Sequence, residues 1–417
     1  MSPEQSSRLS ARWAAVAGAI AVTAVAAGCS AAPAAPAASG SHSASSTAGL
    51  TSVQGQQATA RNDSIQAQHI SLGSGTGAAA AGSPDAATTS PALTAGGLST
   101  VTYTSTGTDG GLYKPQGISA DNGTVYVSNT GDNQVSKIAS GTTTPIAGSL
   151  EYSGDKGDGG QASASYVSHP TGTAEDSRGD IFIADTSDNV IREITPSGVI
   201  RRFAGNGTEG SKLAPGKATE SELDQPQAVA VTSNGDVLIA DTGNNRVLAV
   251  TPSGKIGVVA GDGIAGDKGD GGQAAVAELN QPAGLAVDGQ DNVYIADSSN
   301  NVIRRVDAKT GHITTVAGDY AADAAEGGLG GDTGDGGAAT KARLNDPQGI
   351  AIDSSGNLFI ADTFNNAVRA VTPAGTIATL WTGLNTPYAV AADPTVPGRV
   401  YIAVTDSSKV ESGTYSS

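Results

Sequence analysis

The chain has 417 residues, and 40 Asp and Glu against 23 Lys and Arg leave a formal charge of −17. That surplus disfavours nucleic acid as a partner, because phosphates need cations opposite them; cations, basic partners and neutral ligands stay open. With 4% aromatic residues the core must be Val, Ile, Leu and Ala, the 57 glycines suit a turn-rich all-β chain, and one cysteine, Cys29, allows no internal disulfide.

Residues 1–29 read as a targeting segment. Arg8 and Arg12 make a basic start, and the apolar run over 13–27 is too short to span a bilayer comfortably. The run ends in Ala26-Ala27-Gly28-Cys29, which resembles the lipobox of bacterial lipoproteins, with Ala26 where Leu is usual. The resemblance implies lipidation at Cys29 and a chain exported to the outer face of the cell membrane, touching the bilayer through its anchor only. The alternative is an ordinary secretory signal with an unrelated Cys. Residues 30–97 are Ala, Ser, Gly, Thr and Pro with few bulky apolar side chains. Such a segment cannot offset its own ordering entropy and reads as a disordered tether, reaching on the order of 45 Å as a coil.

Residues 98–417 carry repeats. The phrase at 181–192 alternates, turns on Asp, Ser and Asn, and alternates again, as strand–turn–strand. It recurs at 237–248, 293–304 and 358–369, more loosely at 125–136, and in degraded form from Val400. Each unit opens on a proline: Pro115, Pro170, Pro226, Pro282, Pro347 and Pro387. A short apolar strand follows, then the phrase, a Thr-Pro-Ser-Gly type of turn and a last strand ending in Ala-Gly. Four antiparallel strands per unit and six units predict a six-bladed β-propeller. The last unit lacks a fourth strand, so the segment 99–104 is expected to complete it and close the ring.

The phrases Pro-x-Gly-Ile/Leu-Ala-Val-Asp, Gly-Asn/Asp-hydrophobic-Tyr/Phe-Ile-Ala-Asp-Thr and Asn-Asn-x-Val/Ile-Arg resemble the NHL-repeat family over nearly all of 98–417, bacterial members most. The resemblance implies a six-bladed propeller that mostly binds other molecules. Some relatives are extracytoplasmic sensor domains, and a few are lyases or lactonases.

Asp185, Asp241, Asp297 and Asp362 end the second strand of four units. Each is expected to accept hydrogen bonds from amides of the following turn. Asn189, Asn245, Asn301 and Asn366 are expected in the left-handed conformation of that turn. Arg192, Arg304 and Arg369 are expected to be solvated or to pair between blades. Three links between units carry Asp-x-x-Asp-Gly-Gly: Asp155 and Asp158, Asp267 and Asp270, Asp332 and Asp335. Each is followed by an Ala-rich helical turn, which Asp158, Asp270 and Asp335 are placed to cap. These six carboxylates are candidates for a binding face; Ca²⁺ loops are the lesser alternative, since the spacing is not that of an EF-hand, and no cofactor is expected. The link at 210–216 has Ser211 and Ala214 instead.

Enzyme signals are thin. His42, His69, His169 and His312 are scattered, and no nucleophile elbow or P-loop stands in the right context. Gln116, Thr171, Gln227, Gln348 and Tyr388 are expected at the channel mouth. Glu175 is the one charge near the inner strands, its repeat-equivalents being Ala120, Val231, Val287 and Ile352. The expectation is therefore a monomeric, surface-tethered binding, scaffold or sensor module. A protein or cell-wall ligand would meet its acidic insert-bearing face. A lyase or lactonase acting in the channel is the rival.

Overall fold

A computed structural model describes residues 93–105, 111–121, 123–325, 327–328 and 330–416. The targeting segment with Cys29 and nearly all of the tether lie outside the described residues. From Thr94 on, six separate sheets form, five of four strands and one of five. In the second unit the strands run Pro170–Glu175, Ile181–Asp185, Val190–Ile194 and Ile200–Ala204, paired antiparallel in sequence order. The next three units repeat that order. The inner strands pack on one another around the ring, and Pro387–Ala392 meets Gly117–Asp121 to complete it.

The core is divided accordingly. Six clusters of buried apolar residues, mostly aliphatic, each join two neighbouring blades; Leu238, Val247, Leu285 and Ile295, for instance, share one. A four-stranded blade is too small to bury its own apolar faces, so each depends on its neighbours. The Pro-x-Gly phrase has its cause at the axis. A Cβ on Gly172 would meet Ala228 Cα at 2.7 Å, and one on Gly284 would meet the Gln348 carbonyl oxygen at 2.2 Å. Only a residue without a side chain lets the inner strands converge so closely.

The ring closes as expected, through an N-terminal strand beside the C-terminal one, but the expected span is corrected. The closing strand is Thr94–Thr100, antiparallel to Lys409–Ser416, with Ser99 opposite Ser412 and Thr100 opposite Glu411. Val101 and Tyr103, whose alternation suggested that the strand continued, instead pack into the cluster between the last and first blades. Thr104–Ser105 then pairs parallel with Thr142 and Thr143, giving the first blade its fifth strand.

The Ala-rich link segments form the expected turns of 3-10 helix at Ala162–Ala164, Ala218–Glu220, Ala274–Val276 and Ala339–Lys341. The proposed caps are corrected. The residues preceding these turns are Gln161, Lys217, Gln273 and Ala338, and none makes a side-chain cap.

Candidate functional site

The turn after the second strand, the link into the next blade and the opening proline all lie on one face. There the repeated side chains form a closed set of staples. The left-handed Asn is found as expected, with φ of 54°, 52°, 55° and 53° at Asn189, Asn245, Asn301 and Asn366. Its side-chain oxygen reaches the next blade. Asn189 accepts from the Gln225 amide at 2.8 Å, Asn245 from Gln281 at 2.9 Å and Asn301 from Asp346 at 2.7 Å. Those amides belong to the residue before each opening proline, itself left-handed in all six blades. A hydroxyl follows. Thr130, Thr186, Thr242, Ser298, Thr363 and Thr405 each donate to the carbonyl of an opening proline, at 2.6–2.8 Å. Thr405 to Pro115 completes the circle.

The strand-end carboxylates were expected to accept backbone amides of the following turn; they accept an upstream backbone amide instead, and at Asp241, Asp297 and Asp362 the turn contributes only the side-chain amides of Asn244, Asn300 and Asn365, at 2.8–2.9 Å. Asp185 accepts from Ser168, Asp241 from Asp224, Asp297 from Asn280 and Asp362 from Asn345, at 2.6–2.8 Å. Their other oxygen faces arginine. Arg192, Arg304 and Arg369 are buried, not solvated, with at most 1% of the side chain exposed. Each pairs with the link that precedes its own blade: Arg192 Nη2 with Asp158 at 2.7 Å, Arg304 with Asp270 at 2.6 Å, Arg369 with Asp335 at 2.6 Å. Asp270 and Asp335 also accept the Thr315 and Thr379 amides. Asp155 pairs with Arg202. Four of the six insert carboxylates are therefore committed to arginine, while Asp267 and Asp332 remain at the rim. With their oxygens so engaged these loops do not fit a Ca²⁺ site. Among the described residues no group of three or more His, Cys, Asp or Glu is placed to hold a metal ion. The signal was available in the chain: the third blade, whose link has Ser211 and Ala214, has Leu248 where the three blades preceded by an Asp-x-x-Asp link have arginine.

The channel has two ends with different chemistry. At the insert-bearing end, Gln116, Thr171, Gln227, Gln348 and Tyr388 line a cavity of about 70 Å³, as expected. Gln348 donates to Asp346 at 2.8 Å. Burial, then the nearby Asp346 charge, pushes the Tyr388 hydroxyl well above its usual range. Ile118, Thr173, Val229, Leu285, Ile350 and Val390 line both cavities and form the neck between them. Beyond that neck, on the opposite face, the channel widens to about 380 Å³. Glu175 stands there with Asp121 and Tyr126. Burial first, then the Asp121 charge, raises the Glu175 carboxyl; the Tyr126 hydroxyl, which donates to it, and Lys137 oppose that shift. Burial, then the Glu175 charge, raises the Tyr126 hydroxyl to about 12. Sequence reasoning singled out Glu175 but missed Asp121 and Tyr126, because Tyr126 reaches the cavity from a second strand.

Six blades around an axial channel define a six-bladed β-propeller. Residues 262–326 and 328–396 match the model of the teneurin NHL domain, and residues 223–250 that of the NHL repeat. The chain is thus a six-bladed propeller whose residues 223–396 are similar to NHL-type repeats. It is 26% identical to SUPPRESSOR OF QUENCHING 1 of Arabidopsis thaliana over 63% of this chain and 25% of that protein. It is 29% identical to NHL repeat-containing protein 2 of Homo sapiens over 62% of this chain and 38% of that one, and 28% identical to Teneurin-4 of Mus musculus over 60% and 10%. The chain therefore spans well under half the length of these relatives. Among solved structures, a gluconolactonase from Xanthomonas campestris aligns with TM-score 0.51 at 14% identity, covering 76% of this chain and 89% of that one. An auxiliary nutrient binding protein from Bacteroides thetaiotaomicron aligns with TM-score 0.52 at 13% identity, covering 78% and 76%. At those identities the likeness is one of fold.

Proposed function

We propose that this chain is an exported binding, scaffold or sensor module, tethered through lipidated Cys29 to the outer face of the cell membrane. A protein or cell-wall ligand meets its insert-bearing face. The observation that carries the reading is where large apolar side chains are left in water. Phe364 is 64% exposed, Tyr152 54%, Tyr113 49% and Ile264 49%, all on turns and links of that face. Phe364 occupies a turn position held by Gly131, Ser187, Gly243, Ser299 and Asp406 in the other blades. An aromatic placed in solvent where the fold accepts glycine is not there for packing. Exposed large apolar side chains spread over one face mark it as a docking surface. Because arginine holds most of the insert carboxylates, the aromatic side chains and not net charge supply the affinity.

The test is capture by the full-length protein of a purified cell-wall fraction and, separately, of surface-exposed proteins. The Tyr113→Ser/Phe364→Ser double variant is expected to capture about tenfold less, with little difference between low and high salt. Capture that survives the double substitution and collapses in salt would defeat the reading. A second reading, a lyase or lactonase acting in the channel, has one observation in its favour: the half-buried Glu175 beside Tyr126 at the wide end. Turnover of a lactone panel that vanishes in Glu175→Gln would establish it.

A further inference from the structure

The second blade departs from its neighbours in one pair of side chains. In the third, fourth and fifth blades the strand-end carboxylate faces a side-chain amide of the following turn, and that amide spans two acceptors. Asn244 Nδ2 donates to Asp241 at 2.9 Å and to the Gly210 carbonyl at 2.7 Å. Asn300 does the same with Asp297 and Gly266, and Asn365 with Asp362 and Gly331. The first blade exchanges the two types: Asn129 ends the strand and donates to Asp132 at 2.9 Å and to the Gly111 carbonyl at 3.3 Å. In each of these pairs one partner brings the hydrogen and the other receives it. The second blade has Asp185 and Asp188, two carboxyls and no N–H. Asp185 is fully buried, and Asp188 keeps Oδ2 buried without a hydrogen-bond partner. The link differs to match. The Gly210, Gly266 and Gly331 amides donate to the Leu223, Leu279 and Leu344 carbonyls at 3.1–3.2 Å. Among the described residues, neither this bond nor the one from the turn is made at the equivalent Gly154, whose φ is 131°.

The charged groups around the pair are Arg192 from the third strand, Arg202 from the fourth, and Asp155 and Asp158 from the link. Arg192 reaches Asp185 Oδ2 at 3.3 Å and Asp158 at 2.7 Å, and Arg202 is taken up by Asp155. Both arginines are thus engaged away from Asp188. We propose that Asp185 and Asp188 share one proton, and that this proton latches the second link to its blade and is released as pH rises to neutrality. Two carboxyls facing each other out of water do not both ionise without cost, and a proton between them replaces repulsion by a charge-assisted O–H···O bond. Burial, then the Asp155 charge, raises the Asp188 carboxyl to about 6, and burial, then the Asp188 charge, raises that of Asp185. The folded pair keeps a proton that an unfolded Asp gives up near 3.9. Its hold is therefore complete below about 4 and lost as pH rises through about 6. A carboxyl brings one hydrogen where Asn brings two, so the Gly154 carbonyl stays unserved even with the latch closed. Tyr152, 54% exposed, stacks on Tyr166 within this link, ring centroids 5.2 Å apart. Release of the latch therefore loosens one exposed aromatic of the insert-bearing face. That consequence rests on this face being a docking surface; the latch itself does not.

The experiment is hydrogen–deuterium exchange of the full-length protein at pH 5.5 and 7.5, corrected for the intrinsic effect of pH on exchange. Mass spectrometry reads peptides of the second link, 150–168, and of the third, 206–223. The second link is expected to lose protection about tenfold between the two pH values. The third, whose Asn244 donates in both states, is expected to hold its protection. Asp188→Asn installs the residue that three other blades use, and is expected to leave the second link equally protected at both pH values, at the level of the unaltered protein at pH 5.5 or above. Asp188→Ala, which brings no hydrogen, is expected to give the low protection at both. The proposal is overturned if the second link exchanges alike at the two pH values in the unaltered protein, or if Asp188→Asn keeps the pH dependence. It is equally overturned if a chelator lowers protection at pH 5.5, which would put a metal ion where the proton is placed. Ligand capture is not read in this experiment, so failure of the latch and failure of the docking surface are told apart.

Discussion

A buried arginine is costly unless its charge and most of its N–H groups are met. Arg369 shows how these blades do so at the two terminal nitrogens, while its buried Nε has no hydrogen-bond partner. Nη1 donates to the Arg343 carbonyl at 2.6 Å, and Nη2 reaches both the Thr333 carbonyl and Asp335. The carboxylate that looked like part of a cation loop is therefore the counter-charge of a core residue. Asp335→Asn leaves a buried cation underpaired, and since Asp335 is 46% exposed the cost is discounted for solvent to roughly 1–3 kcal/mol. Asp267→Asn is expected to stay within about 0.5 kcal/mol. Urea denaturation of the two variants separates the readings; equal midpoints would return Asp335 to the surface class. Burial also pushes three carboxyls up to about 6: Asp188 in the turn of the second blade, and the strand-end Asp297 and Asp362. An Asp in the unfolded chain titrates near 3.9. Between the two values the folded state holds more protons, so this contribution to stability is complete below about 4 and is lost as pH rises through about 6. The melting temperature is expected to be higher at pH 5.5 than at pH 7.5, and the net charge of −17 acts in the same direction. A midpoint that rises with pH over that window would contradict both.

At the scale of the element, the closing strand and the hydroxyl ring do the same work in different directions. The strand at 94–100 adds main-chain hydrogen bonds to an edge that would otherwise be open, and Gly96 accepts one more from Trp381 Nε1 at 3.3 Å. A chain starting at residue 101 should melt roughly 5 °C or more below one starting at 93 and should aggregate, because the strand Lys409–Ser416 becomes an exposed edge. Equal melting of the two truncations, followed by light scattering, would show the strand to be dispensable. Each hydroxyl staple ties one blade to the next without using the sheet. Thr242→Val keeps the shape but leaves the Pro282 carbonyl without its 2.7 Å donor, a loss of about 1–2 kcal/mol readable by chemical denaturation. The left-handed residue before each opening proline is the counterpart. A side chain there is unfavourable, and its amide is held by the preceding blade, through an Asn oxygen in five cases and through the Ser408 hydroxyl at Lys114.

For the whole molecule, blade number, strand order and the face carrying the links were legible because they rest on periodicity and on recurrence. Alternation sets a strand, an Asp/Asn turn ends it, and six opening prolines count the units. The left-handed Asn was legible for the same local reason. What the chain could not show by spacing alone was which side chains meet. Arg192 and Asp158 are 34 residues apart, and Glu175 and Tyr126 come from different blades. Their pairing depends on how the links wrap each rim and how neighbouring sheets twist together. Periodicity is a property of a strand and its own sequence, so it survived without coordinates. Ion pairing, cavity width and the chemistry of each channel end are properties of distances between strands, which exist only once the ring has closed.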